Sequence, residues 1–432
     1  MAINECSLKS TSQEGPELAA WLRRIEAAHP KNIELGLDRV RAVWQRLRIE
    51  RVAGLQIVVA GTNGKGSTLG LIEHAALAQG LSVGTYTSPH IHRYNERVRI
   101  NGRPLPDADH VDAFVKVEQA RGDIALTYFE FGTLAAFVLL AEKGLDLAVL
   151  EIGLGGRLDA VNIIDADLAV ITSIGLDHTD WLGETLDQIA REKSGIMRPA
   201  KPVLLGETCP LICRRLAAEI DAPVSQVGEE FGFEGEEYFS RRFGLSSQYD
   251  HALLPRLPLN NISLAAEALL WLNDQRNLGM IPRDFWLCWR GFNLPGRLEK
   301  IAHQGVCLYL DVGHNAQAAE YLARTLPDLV AEQQPVIAVY SCLQDKDATK
   351  VVAAVQAHID EWFVAPLTGL RAMTREQLLA AFESASAPVN DCEDFESALR
   401  KGIKRAQSCG AIILVFGSFV VVEQARALLG EL

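Results

Sequence analysis

The stretch that most constrains this chain is Gln56 to Thr68, QIVVAGTNGKGST. Ile57, Val58 and Val59 form a short run of β-branched residues, as a parallel strand buried on both faces would. Gly61, Gly64 and Gly66 then allow a sharp turn and close backbone approach to a ligand. Leu69 to Leu77 continues as a helix, with Ser67 or Thr68 near its N-terminus. A helix N-terminus offers unpaired N–H groups and a partial positive charge, and Lys65 adds a full one, a combination suited to nucleotide phosphates. The spacing differs from the common phosphate loop, whose first Gly stands five residues before the second and whose Lys is followed by Ser or Thr. Here Gly61 stands closer to Gly64, and Gly66 follows Lys65. The alternative is a glycine-rich turn that binds nothing, but strand, glycines, Lys and hydroxyls fall in the order phosphate binding needs.

The rest of the chain repeats the alternation. Helical spacing covers Glu17 to His29, which Pro30 stops, and Asp38 to Leu47; Met1 to Gly15 reads as a loose tail. Further strands are expected over Ser82 to Thr87, Leu145 to Ile152, Leu168 to Ile174 and Pro202 to Gly206. Helices are expected over Asp107 to Arg121, Tyr128 to Lys143, Leu186 to Met197 and Leu211 to Asp221, and Asn101-Gly102 marks a turn. Ser225 to Pro258 loses the periodicity and reads as short hairpins, and Asn260 to Leu278 is helical. After Leu294-Pro295-Gly296-Arg297 the alternation restarts, with strands over Cys307 to Leu310, Val336 to Tyr340, Glu361 to Ala365 and Ile412 to Phe416 and a helix over Thr374 to Phe382. The fold class is α/β, with parallel βαβ units and right-handed crossovers. A larger domain, 1–296, precedes a smaller one, 297–432.

With 432 residues and a net charge of −13, nucleic acid and acidic membrane surfaces are poor partners. Anionic ligands then need local basic groups such as Lys65, Arg97, Arg157 and Arg297. Eight cysteines are scattered, and Cys209 and Cys213 make the one close pair, so reduced thiols in a cytosolic enzyme are expected rather than zinc. No signal peptide is apparent, and no apolar run reaches the roughly 20 residues of a membrane span.

Ligands of a parallel sheet sit beyond the carboxyl ends of its strands. Lys65, Ser88, Glu151 and His178 fall at four such ends. A hydroxyl, a carboxylate and an imidazole could hold magnesium beside phosphates, with manganese left open by the His. Ser88 could equally be a turn residue, and His178 could be structural. Glu151 closes an apolar run, where an unpaired carboxylate is costly. Gly153-Leu154-Gly155-Gly156 fails as a dinucleotide fingerprint, since Leu158 stands where the third Gly belongs. It reads as a ligand-contacting loop to which Arg157 and Asp159 bring opposite charges. Composition alone makes Lys193 the partner of Glu192 in a surface pair. Asp311, at a strand end of the second domain, suits either a ribose or a helix N-cap.

VAGTNGKGST, SPHIHRYNERVRING, TYFEFGTLAAF, LEIGLGGRLDAVNI, ITSIGLDHTDWLG, REKSGIM, LPGRLE and LDVGHNAQA follow one another across most of the chain. In this order and spacing they resemble folylpolyglutamate synthase / dihydrofolate synthase, of the Mur ligase group. The resemblance implies an N-terminal P-loop ATPase domain that also binds the pterin and a C-terminal Rossmann-like glutamate-ligase domain, with the active site in the cleft between them. It implies an ATP-dependent acid–amino-acid ligase. The enzyme would add L-glutamate to 7,8-dihydropteroate, and further glutamates to reduced folates, through an acyl phosphate. Folylpolyglutamate synthesis alone, a Mur-type peptide ligase and a nucleotide-binding regulator without ligase chemistry are the alternatives. The extra N-terminal domain of the Mur peptide ligases has too little chain before Gly61.

Residue by residue, the resemblance assigns ATP to Thr62, Asn63, Gly64, Lys65, Gly66, Ser67, Asn261, Arg297 and Asp311. It assigns metal, two magnesium ions, to Ser88, Glu151 and His178, and chemistry to Lys65, His178 and Lys193, with Lys193 carbamylated (N6-carboxylysine). Dihydropteroate falls to Glu34, Leu35, Gly36 and Leu37, to Thr127, Tyr128, Phe129 and Glu130, and to Leu158, Asp159 and Ala160. Apart from the resemblance, a cytoplasmic monomer acting on small molecules, with no nucleic acid and no membrane, is expected. Glu34 replaces the family's usual Asp and Val161 its usual Thr. Tyr340 to Leu343 replaces Gly-Met-Leu before QDKD, and the polar residue after Phe419 is missing.

Overall fold

The computed structural model describes residues 14–29, 34–369 and 371–430. Apart from Glu14 and Gly15, the expected tail lies outside them, as do Cys6 and Pro30. The chain divides into two compact units, one ending at Phe292 and one beginning at Asn293.

The first unit is built on eight strands: β1 (Leu55–Ala60), β2 (Val83–Tyr86), β3 (Val98–Ile100), β4 (Arg103–Pro104), β5 (Leu147–Glu151), β6 (Leu168–Ile171), β7 (Val203–Leu205) and β8 (Val224–Gln226). Their order is β4-β3-β2-β5-β1-β6-β7-β8. All pairings are parallel except those of β3, whose hairpin to β4 turns at Asn101-Gly102, both at positive φ. β1 lies in the middle, where Val59 pairs with Glu151 and with Val170. Side chains alternate across it. Ile57 and Val59 enter one core with helices α3 (Lys65–Ala78) and α9 (Leu259–Arg276). Val58 and Ala60 enter the other, with α1 (Pro16–Ala27), α2 (Asp38–Leu47), α4 (Asp107–Arg121), α5 (Tyr128–Ala141), α7 (Leu186–Ser194) and α8 (Leu211–Ala218). Each fully buried Val, Leu or Ile stabilises this packing by about 1.5–3 kcal/mol. The register brings the carboxyl ends of β2, β5, β1 and β6 to one edge, where the short α6 (Thr179–Leu182) follows β6.

The hairpins expected after Ser225 form a three-stranded antiparallel sheet of β9 (Phe231–Glu234), β10 (Glu237–Ser240) and β11 (Leu245–Gln248). It is tied to α9 through buried Glu267, whose carboxylate accepts from Tyr238 Oη at 3.0 Å and Ser240 Oγ at 3.1 Å. Helix α10 (Pro282–Trp289) closes this side, with Trp289 Nε1 donating to the Leu71 carbonyl.

The second unit is a six-stranded sheet of β12 (Glu299–His303), β13 (Val306–Asp311), β14 (Val336–Tyr340), β15 (Glu361–Val364), β16 (Val389–Asp391) and β17 (Ile412–Phe416), ordered β12-β13-β17-β14-β15-β16. Only β12 is antiparallel. Tyr309, Ala338 and Leu414 pack under α11 (Ala316–Leu329), α12 (Ala348–Val355) and α13 (Arg375–Ala380). The opposite face receives α14 (Phe395–Cys409), whose Gly402 lets it approach Val339 and Ile337. Helix α15 (Phe419–Leu429) follows β17. Among the described residues no helix is long and apolar enough to cross a membrane.

Candidate active site

Residues Gly61 to Gly64 form the turn between β1 and α3. Gly64 caps the helix at φ 88°, a left-handed conformation glycine takes without strain. A Cβ there would stand 2.4 Å from the Asn261 side chain, so the loop lies directly against the start of α9. The turn is pinned to the end of β6: Thr62 N donates to Ser173 O at 2.8 Å and Asn63 N to Ser173 Oγ at 2.9 Å. Thr172 Oγ1 donates back to Asn63 O at 2.7 Å. The amides of Lys65, Gly66 and Ser67 open α3 and have no carbonyl one turn ahead within the helix. They are the donors a phosphate would use.

Lys65 and Lys193 meet on one atom. Lys65 Nζ donates to Gly61 O at 3.1 Å and to Thr62 O at 3.3 Å, and Lys193 Nζ donates to Gly61 O at 3.0 Å. The surface pair of Glu192 with Lys193 does not form. Lys193 is 4 % exposed, and Glu192 instead pairs with Arg157, Oε1 to Nη2 at 2.9 Å. The helix register explains this: Ile189, Ala190 and Lys193 share one face of α7, and that face is buried. Gly156 allows the fit, since a Cβ there would come within 2.8 Å of Glu192 O. Burial first, and then the charge of Lys65, push the Lys193 amine down from 10.5 to about 7. Asp177 and Asp159 oppose that shift. A neutral amine is therefore well populated near neutral pH.

Glu151 ends β5 and is 6 % exposed. Its Oε2 accepts from Ser88 N at 3.2 Å, so the ends of β2 and β5 are brought together. A Cβ on Gly66 would lie 3.9 Å from the same oxygen, which sets the carboxylate beside the first turn of α3. Any side chain in place of Gly66 would occupy the space between loop and carboxylate. His178 stands on the loop after β6 at φ 51°; its backbone N–H donates to Asp177 Oδ1 at 2.9 Å, and its ring Nε2 lies 4.0 Å from that oxygen. Among the described residues no group of three or more His, Cys, Asp and Glu side chains could by itself hold a metal ion. A buried carboxylate and a hydroxyl beside a phosphate site suit magnesium, which takes one or two carboxylates and completes its shell with phosphate and water.

A second group of candidates lies where α2, α5 and the loop after β5 meet. The buried Glu130 and Thr127 form a reciprocal cap at the start of α5, Thr127 N donating to Glu130 Oε2 at 2.8 Å and Glu130 N to Thr127 Oγ1 at 3.2 Å. Gly153 lies on the Phe129 ring, where a Cβ would stand 2.5 Å from Cζ. Leu158 is half-buried, whereas Ala160 and Asp159 are buried; Asp159 accepts from Leu154 N at 2.8 Å and Val161 N at 2.9 Å. That carboxylate shapes its own loop. In the turn before α2, Glu34, Leu35 and Gly36 are half-buried and Leu37 is buried. Arg39, which no motif singles out, bonds to both Glu34 and Glu130. Asn260 also escaped the sequence reading: it accepts from Glu207 N and donates to Thr172 O at 2.9 Å, fixing the start of α9 to the strand ends.

In the second unit Asp311 is buried at the end of β13. It accepts from Leu298 N at 2.9 Å and Gly313 N at 2.7 Å, and burial raises its pKa against the pull of Arg297. The N-cap of α11 is Asn315, so Asp311 is no helix cap. Arg297 lies over the Phe419 ring, 5.3 Å from its centroid.

Two family models match the chain, the Mur ligase middle domain over 59–230 and the Mur ligase glutamate ligase domain over 296–419. The dihydrofolate synthase/folylpolyglutamate synthase of Escherichia coli is 39% identical over 416 residues, covering 96% of each chain. Among solved structures, a bifunctional folylpolyglutamate synthase/dihydrofolate synthase with Mn, AMPPNP and L-glutamate bound aligns with a TM-score of 0.86 at 39% identity, covering 98% of this chain and 100% of that one. Escherichia coli FolC in complex with DHPP and ADP aligns with a TM-score of 0.85 at 38% identity, covering 96% and 98%.

Proposed function

The chain belongs to the dihydrofolate synthase/folylpolyglutamate synthase family of Mur-type ligases, and from that premise we propose how its own residues carry the reaction. The enzyme joins L-glutamate to 7,8-dihydropteroate and adds further glutamates to reduced folates, with ATP as the phosphoryl donor. A carboxylate oxygen of the pterin substrate attacks the γ-phosphorus, forming a C–O–P link as the bond to the β-phosphate breaks and ADP leaves. The glutamate amine then attacks the acyl carbon, the C–N bond forms, and phosphate leaves as the amine sheds its proton.

The single observation that carries this reading is the meeting of Lys65 and Lys193 on the Gly61 carbonyl. Burial and the neighbouring Lys65 disfavour the charged form of Lys193 here, and Lys65 stands beside the loop amides that open α3. Lys65 and the amides of Lys65, Gly66 and Ser67 hold and neutralise the transferring phosphoryl group. Thr62, Asn63 and Gly64 shape the loop, Asn261 supports it, and Arg297 and Asp311 of the second unit bind the nucleotide. Ser88, Glu151 and His178 would hold the divalent cation, which when bound neutralises phosphate charge and is magnesium or manganese. Lys193, with its amine brought down to about 7, is suited to carbamylation. The neutral nitrogen adds to carbon dioxide, a C–N bond forms and a proton leaves, and the resulting carboxylate-like group faces the loop. The segments Glu34 to Leu37, Thr127 to Glu130 and Leu158 to Ala160 bind the pteridine.

The same reading has the enzyme acting as a cytoplasmic monomer on small molecules, without nucleic acid or membrane. The net charge of −13 supports it, as do the free thiols of Cys209, Cys213, Cys288, Cys307, Cys342, Cys392 and Cys409. The test is product formation from ATP, magnesium, glutamate and dihydropteroate, followed by mass. A product heavier by one glutamate residue is expected, and longer products with tetrahydrofolate. Absence of both products overturns the function; absence of the first alone leaves a folylpolyglutamate synthase.

A further inference from the structure

We propose that Arg39 is a positioning residue that sets affinity for the pteridine by clamping two separate binding segments together; this rests on the reading that those segments hold the pteridine. Arg39 uses its whole guanidinium. Nη1 donates to Glu34 Oε1 at 2.9 Å and Nη2 to the Glu34 carbonyl at 2.9 Å, so both side chain and backbone of the turn before α2 are held. Nη2 also donates to Glu130 Oε1 at 2.9 Å, and Nε faces Glu130 Oε2 at 3.4 Å. The turn and the start of α5 stand more than ninety residues apart in sequence, yet one side chain hydrogen-bonds to both.

The two carboxylates are unequal. Glu130 has a side chain only 5 % exposed and also caps its own helix, so its position is set by α5. Glu34 is 34 % exposed and sits in a turn that has no sheet or helix of its own to order it. Arg39 therefore transfers the order of α5 to the turn. His29, at the end of α1, approaches the other side of Glu34, with Nε2 3.7 Å from Oε2. The Glu34 side chain reaches Arg39 in a direct hydrogen bond. Burial works against the Arg39 charge, but hydrogen bonds and charge from Glu130 and Glu34 more than offset it. A planar fork that grips two carboxylates and a carbonyl is something Lys, a point charge, cannot reproduce.

The experiment compares the wild-type enzyme with Arg39→Met and Arg39→Lys, with KM measured for dihydropteroate and for ATP and thermal unfolding of each protein followed by circular dichroism. Arg39→Met is expected to raise KM for dihydropteroate tenfold or more, with kcat and KM for ATP within twofold of wild type. Arg39→Lys, which keeps the charge and loses the fork, is expected between the two. A folded Arg39→Met protein with an unchanged KM for dihydropteroate overturns the clamp alone, as does a loss that appears equally in KM for ATP. Should Arg39→Met fail to fold, Arg39→Lys decides on the same split. A wild-type enzyme that neither binds nor turns over dihydropteroate overturns the assignment of the pteridine segments, and the clamp with it.

Discussion

Two clusters of charge in the first unit are built on opposite terms. At the loop after β1, Lys65 and Lys193 share a backbone carbonyl, and each amine crowds the other. Where α2 meets α5, Arg39 is gripped by two carboxylates, and each charge finds its opposite. The first arrangement costs folding energy, because burial and a neighbouring cation both disfavour an ammonium. The second costs far less, because the partners are present in the resting protein. The difference separates two arrangements: one crowds amines so that a charge is disfavoured, and the other pairs its charges beforehand.

Removing charge from the conflicted cluster should have the largest effect. Lys65→Ala is expected to lower turnover by roughly a hundredfold or more, as loss of a charge-stabilising group in phosphoryl transfer does. Its melting temperature should change little; an active variant would detach Lys65 from the chemistry. Lys193→Met should also abolish most of the activity, and it carries a second readout. With its folded pKa near 7 and an ordinary value of 10.5, Lys193 binds fewer protons folded than unfolded between those values. Stability should therefore rise with pH from 7 towards 10.5 in carbon-dioxide-free buffer. Denaturation at several pH values should show that slope in wild type and a reduced one in Lys193→Met. An identical slope in both would mean the amine is not held uncharged.

The satisfied cluster should respond more mildly, through KM for dihydropteroate alone, as set out for Arg39. The smallest effect concerns a buried carboxylate away from both. Burial raises Glu267 to about 7, although Ser240, Tyr238 and Arg242 oppose the shift. Between about 4.5 and 7 the folded protein then keeps a proton that the unfolded chain has lost. Stability should fall across that window as pH rises, by on the order of 3 kcal/mol or less. Glu267→Gln, with a neutral amide in the same place, should flatten that part of the profile without changing KM for ATP. An unaltered profile would show that the carboxylate is ionised throughout.

The same contrast explains what could be read from the sequence. The strand–turn–helix of the glycine loop was legible because strand, glycines and helix are local, and the placement of Ser88, Glu151 and His178 after neighbouring strands because strand ends in a parallel sheet share an edge. Lys193 is the instructive miss of residue-level reading. Its neighbour Glu192 suggested a surface pair, but its spacing from Ile189 and Ala190 already placed it on the apolar face of α7. Arg39, Asn260 and the contact of Glu267 with Tyr238 and Ser240 left no such trace. Each depends on segments brought together by the tertiary fold, and no local periodicity encodes that. Helix ends were read too long at several places, such as Met197 against the observed Ser194. There the backbone leaves the helix at Gly195, whose missing side chain makes room for Arg157.

In the proposed reaction the phosphate loop activates a carboxylate of the pterin substrate by phosphorylating it. Dihydropteroate carrying a heavy-oxygen label in that carboxylate tests this most directly, with the released phosphate examined by mass spectrometry after a single turnover with ATP and glutamate. Transfer of one labelled oxygen into the phosphate is the expected result, because the acyl phosphate hands that oxygen over when the amine attacks. Unlabelled phosphate, formed together with the glutamate adduct, would contradict the claim.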